Sequence, residues 1–130
     1  YEKHHEGKRF LIVDAAMTEL LRPALYDAWH PIVPLAEPIA DAEGALADVV
    51  GPVCESSDVL GRDRPLAVGE GDGLAILGAG AYGFGMASNY NTRNRPAEVL
   101  LEAGQAHLVR RRERYEDQFA LESLALSGAE

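Results

Sequence analysis

Apolar residues in this chain come in short runs separated by glycine, proline and charge, and no segment before the C-terminus holds a helical period. Phe10-Leu11-Ile12-Val13, Ala45 to Val50 and Leu74 to Leu77 are β-forming runs bounded by turn residues. The pattern predicts a strand over Tyr1–Lys3, a turn over His4–Lys8 around Gly7, and a strand over Arg9–Asp14. Thr18–Leu21 is expected to form one helical turn capped by Thr18 and stopped at Pro23, which disfavours helical backbone at Arg22. Pro31–Leu35, with a proline at two positions, suits an edge strand. Ala36–Gly44 is polar and loop-like, and Ala45–Val50 is a strand ending at Gly51-Pro52. Within Val59–Leu66, Gly61-Arg62-Asp63-Arg64-Pro65 is expected to be a solvated turn. Val68–Gly73 leads as a loop into a buried strand, Leu74–Leu77. Ala97–Glu102 and His107–Arg112 form a hairpin turning at Ala103-Gly104-Gln105. Arg114–Leu126, with Tyr115, Phe119 and Leu124 among acids, predicts an amphipathic closing helix. Trp29 is expected in the core or at an interface, and His30 in a structural role.

Many short strands and little helix imply an all-β barrel or sandwich. The 130 residues suffice for one domain with a core, and no internal repeat divides them. A net charge of -9 opposes nucleic-acid binding, since phosphates are repelled over most of the surface. No apolar run reaches the ~18–20 residues that span a bilayer. The single cysteine can form no internal disulfide, which fits a reducing, cytoplasmic setting. Because the chain opens on Tyr1 rather than Met, further sequence is expected upstream.

Candidate chemistry concentrates in Gly51-Pro52-Val53-Cys54-Glu55-Ser56-Ser57-Asp58. Directly after a strand end stand the only thiol, two carboxylates and two hydroxyls. Cys54 and Glu55 pair a proton donor with an anion that can grip an ammonium group; equally, Cys54 is of a type often buried as a small core residue. Arg22 and Tyr26 lie four apart and share a face if helical, an arrangement able to hold a carboxylate. A surface arginine beside a half-buried tyrosine is the alternative. Gly78-Ala79-Gly80-Ala81-Tyr82-Gly83 satisfies G-x-G-x-x-G after a strand, but the polar Ser88–Pro96 stretch follows where a dinucleotide fold needs a helix. His4, His5 and Glu6 diverge as neighbours in a turn and make no metal site. Arg110-Arg111-Arg112 alternate faces beside Glu113, Glu116 and Asp117, which suits a solvated or interface surface.

Three segments together resemble one family. Gly51–Asp58 is similar to the Cys-Glu-Ser-Gly-Asp signature of diaminopimelate decarboxylase, a pyridoxal-phosphate enzyme of the fold type III group. Val13-Asp14-Ala15-Ala16-Met17 running to Arg22-Pro23-Ala24-Leu25-Tyr26 and His30 resembles a second segment, and Gly80-Ala81-Tyr82-Gly83 to Asn91 a third. The likeness covers residues 8–117 and only the enzyme's C-terminal part. It implies that residues 1–130 are a C-terminal Greek-key β-domain cut on its N-terminal side. The partner pieces it implies are a pyridoxal-phosphate-bearing (β/α)8 barrel and a second subunit in a homodimer. The implied reaction takes meso-2,6-diaminopimelate to L-lysine and CO2. Cys54 is then the proton donor, Arg22 and Tyr26 hold the distal carboxylate, Glu55 binds substrate, and Tyr82 contacts the cofactor phosphate near the substrate. The Schiff-base lysine is expected elsewhere, because only Lys3 and Lys8 exist here. Ser57 stands where the family has Gly, so a left-handed backbone there would be strained. The alternative reading is a non-catalytic dimerisation or binding module.

Overall fold

The computed structural model describes residues 1–36 and 44–122. It contains two compact units, Tyr1–Ala87 and Ser88–Glu130.

In the first unit, β1 (Glu2–His5) and β2 (Lys8–Ile12) form the expected hairpin, with Glu2 opposite Leu11 and His5 opposite Lys8. Its turn is only Glu6-Gly7, both left-handed at φ 49 and 78, the backbone a two-residue hairpin requires. β4 (Ala45–Val50) lies parallel to β2, and β5 (Val59–Leu66) antiparallel to β4, giving the sheet order β1-β2-β4-β5. A parallel neighbour needs a long crossover. That connection carries α1 (Arg22–Tyr26) and β3 (Ile32–Pro34). β3 pairs antiparallel with β6 (Leu74–Ile76) as a separate two-stranded sheet, so its prolines sit on an edge. The chain is mainly β, and its described strands form open sheets without a closed barrel.

The core gathers Leu11, Leu20, Ile32, Ala47, Val49, Leu60 and Leu66, one face of β2, β4 and β5 against the crossover. On the other face of β4, Asp48 is also buried. Its Oδ1 accepts the Asp63 N–H at 2.8 Å, and Oδ2 lies 3.3 Å from Lys8 Nζ and 3.8 Å from Arg62. This holds an irregularity where the register shifts between Ala47 and Val49, opposite left-handed Asp63 (φ 49). The irregularity explains why the segment expected to be a solvated turn at 61–65 is strand. It breaks the alternation, so Leu60, Gly61, Arg64 and Leu66 all turn inward with no regular spacing.

Other expectations are corrected in the crossover. Thr18 is buried, and its hydroxyl donates to Glu19 Oε2 at 2.9 Å instead of capping a helix. Pro23 does not stop a turn; it opens α1 in the first helical turn, where its missing N–H costs nothing, and Arg22 is helical. Trp29 is 69% exposed and lies outside the core of the described residues, which corrects the first of its two expected placements and leaves the interface one open. His30 is buried, its Nδ1 3.1 Å from the Leu77 carbonyl, as befits a structural histidine. β6 is half-buried rather than buried. The loop expected over Ala36–Gly44 lies outside the described residues from 37 to 43.

Arg9 ties the first hairpin to the end of β5. It donates to Leu66 O at 2.8 Å and Val68 O at 2.6 Å and grips both Glu2 oxygens at 3.0 Å. Hydrogen bonds from Arg9, then from His4, hold the Glu2 carboxyl at about 2, against an ordinary 4.5. A folded value below the unfolded one means the pair stabilises the chain above pH 4.5 and ceases to as pH falls towards 2. Carbon-detected NMR titration is expected to show this, with Arg9→Ala returning Glu2 towards 4.5; a native Glu2 already titrating near 4.5 overturns it.

In the second unit, β7 (Glu98–Glu102) and β8 (Gln105–Arg110) form the predicted hairpin, turning at left-handed Ala103-Gly104. Glu113 organises the approach to it by accepting the Arg95 backbone N–H at 2.9 Å, the Arg95 guanidinium at 3.0 Å, and the Asn89 amide. Arg110 pairs with Glu98 and Arg111 with Asp117, so the arginine run is balanced by acids. The helix expected over Arg114–Leu126 is one turn, α3 (Tyr115–Gln118), capped by Asp117 accepting the Arg114 N–H at 2.8 Å. Tyr115 and Phe119 are exposed, so no buried face supports elongation. Leu124 and the rest of that segment, from 123 on, lie outside the described residues.

Candidate active site

β4 ends at Val50, and the chain loops out and returns as β5. The neck is closed by Gly51 N–H donating to Asp58 O at 3.0 Å. Asp58, counted from sequence among the accessible groups, is instead buried at 2% exposure. Its Oδ1 accepts the Met17 N–H at 2.6 Å and its Oδ2 the Val53 N–H at 2.8 Å. Gly51 is needed for this contact, since a Cβ there would sit 2.3 Å from Asp58 Oδ2. Val53 is buried beside it. Between these anchors, Cys54, Glu55, Ser56 and Ser57 are all exposed. Cys54 is therefore an accessible thiol on a pinned loop and not a core residue. Ser57 does not take the left-handed backbone that would strain it. Its hydroxyl lies 3.7 Å from Met17 Sδ, a second tie to the crossover.

That crossover carries the other candidates. Arg22 and Tyr26 stand at the two ends of α1, which left-handed Asp27 terminates. Arg22 is half-buried, and its guanidinium carbon lies 5.6 Å from the centre of the Tyr82 ring. Tyr26 and Tyr82 are 63% and 72% exposed, so both phenols are free to meet a ligand.

Tyr82 belongs to α2 (Gly80–Met86), a helix broken at Ala81 (ψ 122) and Tyr82 (φ 65). A left-handed aromatic is rare and costs ~1–3 kcal/mol, and such strain concentrates at functional sites. The glycine-rich run led us to expect sharp backbone at the glycines. Gly78 does turn left-handed at φ 64, but Gly80, Gly83 and Gly85 do not, and Tyr82 carries the strain. β6 runs antiparallel to its one neighbour among the described strands, which removes the dinucleotide-binding reading.

The five candidates thus form two groups. Arg22 lies over Tyr82, and Tyr26 stands one turn further along α1; a guanidinium beside an aromatic ring suits a carboxylate. Cys54 and Glu55 stand on the separate loop, and among the described residues no hydrogen bond or ring contact joins Cys54 to the first group. A cavity of about 520 Å³ between β2 and the Val68–Leu74 segment contains none of the five. Among the described residues no cluster of His, Cys, Asp and Glu could hold a metal, and no helix is long and apolar enough to cross a membrane. His4 instead lies 2.9 Å from Glu2. Sequence reasoning missed Asp58 as the loop's anchor, although a carboxylate closing a loop of free N–H groups is a recognisable signal. It also missed the pairing of Arg64 with Trp29, for which no local signal exists.

A family model described as the pyridoxal-dependent decarboxylase C-terminal sheet domain matches residues 1–80. The chain is 54% identical over 122 residues to diaminopimelate decarboxylase of Vibrio cholerae, covering 94% of this chain and 29% of that protein. It is 55% identical over 124 residues to the enzyme of the same name from Pseudomonas aeruginosa, covering 95% and 29%. Among solved structures, diaminopimelate decarboxylase from Helicobacter pylori complexed with L-lysine superposes with a TM-score of 0.83 at 47% identity, over 94% of this chain and 29% of that one. The chain thus spans under a third of the length of the curated relatives it matches.

Proposed function

This chain belongs to the pyridoxal-dependent decarboxylase C-terminal sheet domain family, and from that premise we propose that it is the C-terminal part of a cytoplasmic diaminopimelate decarboxylase. The reaction is loss of CO2 from meso-2,6-diaminopimelate to give L-lysine, in lysine biosynthesis. The observation that carries this reading is the Arg22–Tyr82 contact with Tyr26 one helical turn away. A guanidinium beside one exposed phenol, with a second exposed phenol on the same short helix, suits a distal carboxylate, a group that ornithine and arginine lack.

The residues present fit one end of pyridoxal phosphate. The exposed Tyr82 phenol is able to donate to a phosphate oxygen, whereas neither lysine suits a Schiff base. Lys3 is exposed on β1, and Lys8 is largely exposed with Nζ 3.3 Å from Asp48. The barrel that supplies that lysine belongs to another part of the protein. Bound there, the cofactor provides an electron sink for the pair left when the C–C bond to the departing CO2 breaks. In this chain, Arg22 and Tyr26 fix the distal carboxylate, and Glu55 holds an ammonium group of the substrate. The Cys54 Sγ–H gives its proton to the carbon that lost CO2, and the thiolate is reprotonated by water. The division into an Arg22 group and a separate Cys54 loop supports sites completed by two subunits of a homodimer.

The purified 130-residue chain mixed with pyridoxal phosphate is expected to release no lysine from diaminopimelate; turnover by the chain alone sinks the division of labour. In the longer enzyme, Arg22→Ala is expected to remove a charged hydrogen bond worth about 1.5–3 kcal/mol, a loss of roughly 10–100-fold in kcat/KM. Unchanged kinetics remove Arg22 from the site. A non-catalytic association module remains the second reading, favoured by Val99, Leu101 and Leu108 standing exposed on β7 and β8. Sedimentation tests its self-associating form, because a chain monomeric at high concentration removes the dimerisation reading.

A further inference from the structure

Arg64 is the one buried arginine or lysine among the described residues, at 7% exposure, and it forms no ion pair or hydrogen bond there. Its Nε–H is sealed from solvent without an acceptor. Its guanidinium carbon lies 4.5 Å from the centre of the Trp29 ring. That stacking satisfies the face of the cation but uses none of its in-plane donors. Burial alone pushes the Arg64 pKa below its ordinary value, with no acid opposing the shift. Buried charges are paired as a rule, so an unpaired one directs attention to what lies beside it.

Beside it is an open groove of about 430 Å³ between α1 and β5, whose walls include Pro23, Asp27, Trp29, Ser57, Arg62 and Arg64. The volume falls within the range of small-ligand sites. Arg62 adds a second positive charge, partly engaged by Asp48 at 3.8 Å, and Asp27 is the single carboxylate of the wall. Gly61 keeps the space at Arg64 clear, since a Cβ there would lie 2.7 Å from Nε. We propose that this groove binds a small carboxylate anion, held in the plane of the Arg64 guanidinium, with Arg62 at the rim and the Trp29 ring as the wall. The inference rests on these residues alone and does not depend on the decarboxylase reading.

Trp29 is the only tryptophan in the chain, so its emission reports the groove alone. Malonate added at constant ionic strength is expected to change that emission saturably and to raise Tm, whereas chloride does neither. Arg64→Met is expected to fold with an equal or higher Tm without malonate, because it removes an uncompensated buried charge, and to lose both malonate responses. A response linear in concentration and reproduced by chloride overturns the proposal, as does an undiminished response in Arg64→Met. Failure of Arg64→Met to fold also overturns it, by revealing that the charge already has an internal partner. Independently of any variant, the Arg64 Nη–H resonances, which unlike Nε are not sealed from the groove, are expected to move downfield with malonate, in the chain or in any longer protein containing it. Resonances that stay fixed exclude the site.

Discussion

Asp58→Ala is expected to destabilise the chain by about 2–5 kcal/mol, the largest effect of any single substitution in the Cys54 loop. The carboxylate is buried and accepts the Met17 N–H at 2.6 Å and the Val53 N–H at 2.8 Å. Alanine leaves both donors without an acceptor, and each stranded buried donor costs about 1–3 kcal/mol. Asparagine is no rescue, because one of its two amide positions presents N–H to a backbone N–H. Ser56→Ala, on the exposed part of the same loop, is expected to stay within about 0.5 kcal/mol of the parent. Urea denaturation measures both, and native-state exchange at the Met17 and Val53 amides localises the effect. An Asp58→Ala chain within 1 kcal/mol of the parent, on the order of one ordinary hydrogen bond, shows that the loop is held by something other than this carboxylate.

The same residue marks how far the sequence could be read. Strands that are short β-forming runs bounded by turn residues, such as Lys8–Ile12 and Ala45–Val50, were legible to within a residue or two, whereas the sequence left Cys54 open between an accessible thiol and a core residue until the loop was seen to be exposed. What stayed hidden depends on contacts distant in sequence. Asp48 and left-handed Asp63 place an irregularity that turns an apparent charged loop into strand. Pro23 reads as a stop until the chain before it is seen to be a tight turn, after which the same ring starts α1. Tyr82 adopts φ 65 amid glycines better suited to it, and no propensity rule assigns strain to the aromatic. Arg64 meets Trp29 across 35 positions, a pairing created only when β5 passes beside the end of α1. The convergence of Arg22 with Tyr82 is of the same kind: sequence likeness named both residues, but only the fold brings one over the other.

Cys54→Ala, made in the longer enzyme, is expected to lower kcat by about 10²–10⁴ while leaving KM for diaminopimelate nearly unchanged. The argument turns on where the thiol acts. In the proposed roles, Arg22, Tyr26 and Glu55 would hold groups that are the same before and after CO2 leaves, so their removal is expected to weaken binding of substrate and transition state together and to show in KM. As the proposed proton donor, Cys54 would meet the substrate only as a proton is delivered, so its loss is expected to fall on turnover. Its loop, tied down through Asp58 and Val53, keeps its shape when an exposed side chain is trimmed, which separates a chemical defect from a folding one. Cys54→Ser sharpens the test. A hydroxyl of similar size keeps the contacts but is a far weaker acid than a thiol, so serine is expected to behave like alanine. If serine instead restores full turnover, or if alanine raises KM in proportion to its loss of kcat/KM, Cys54 is a contact residue and the proton comes from elsewhere.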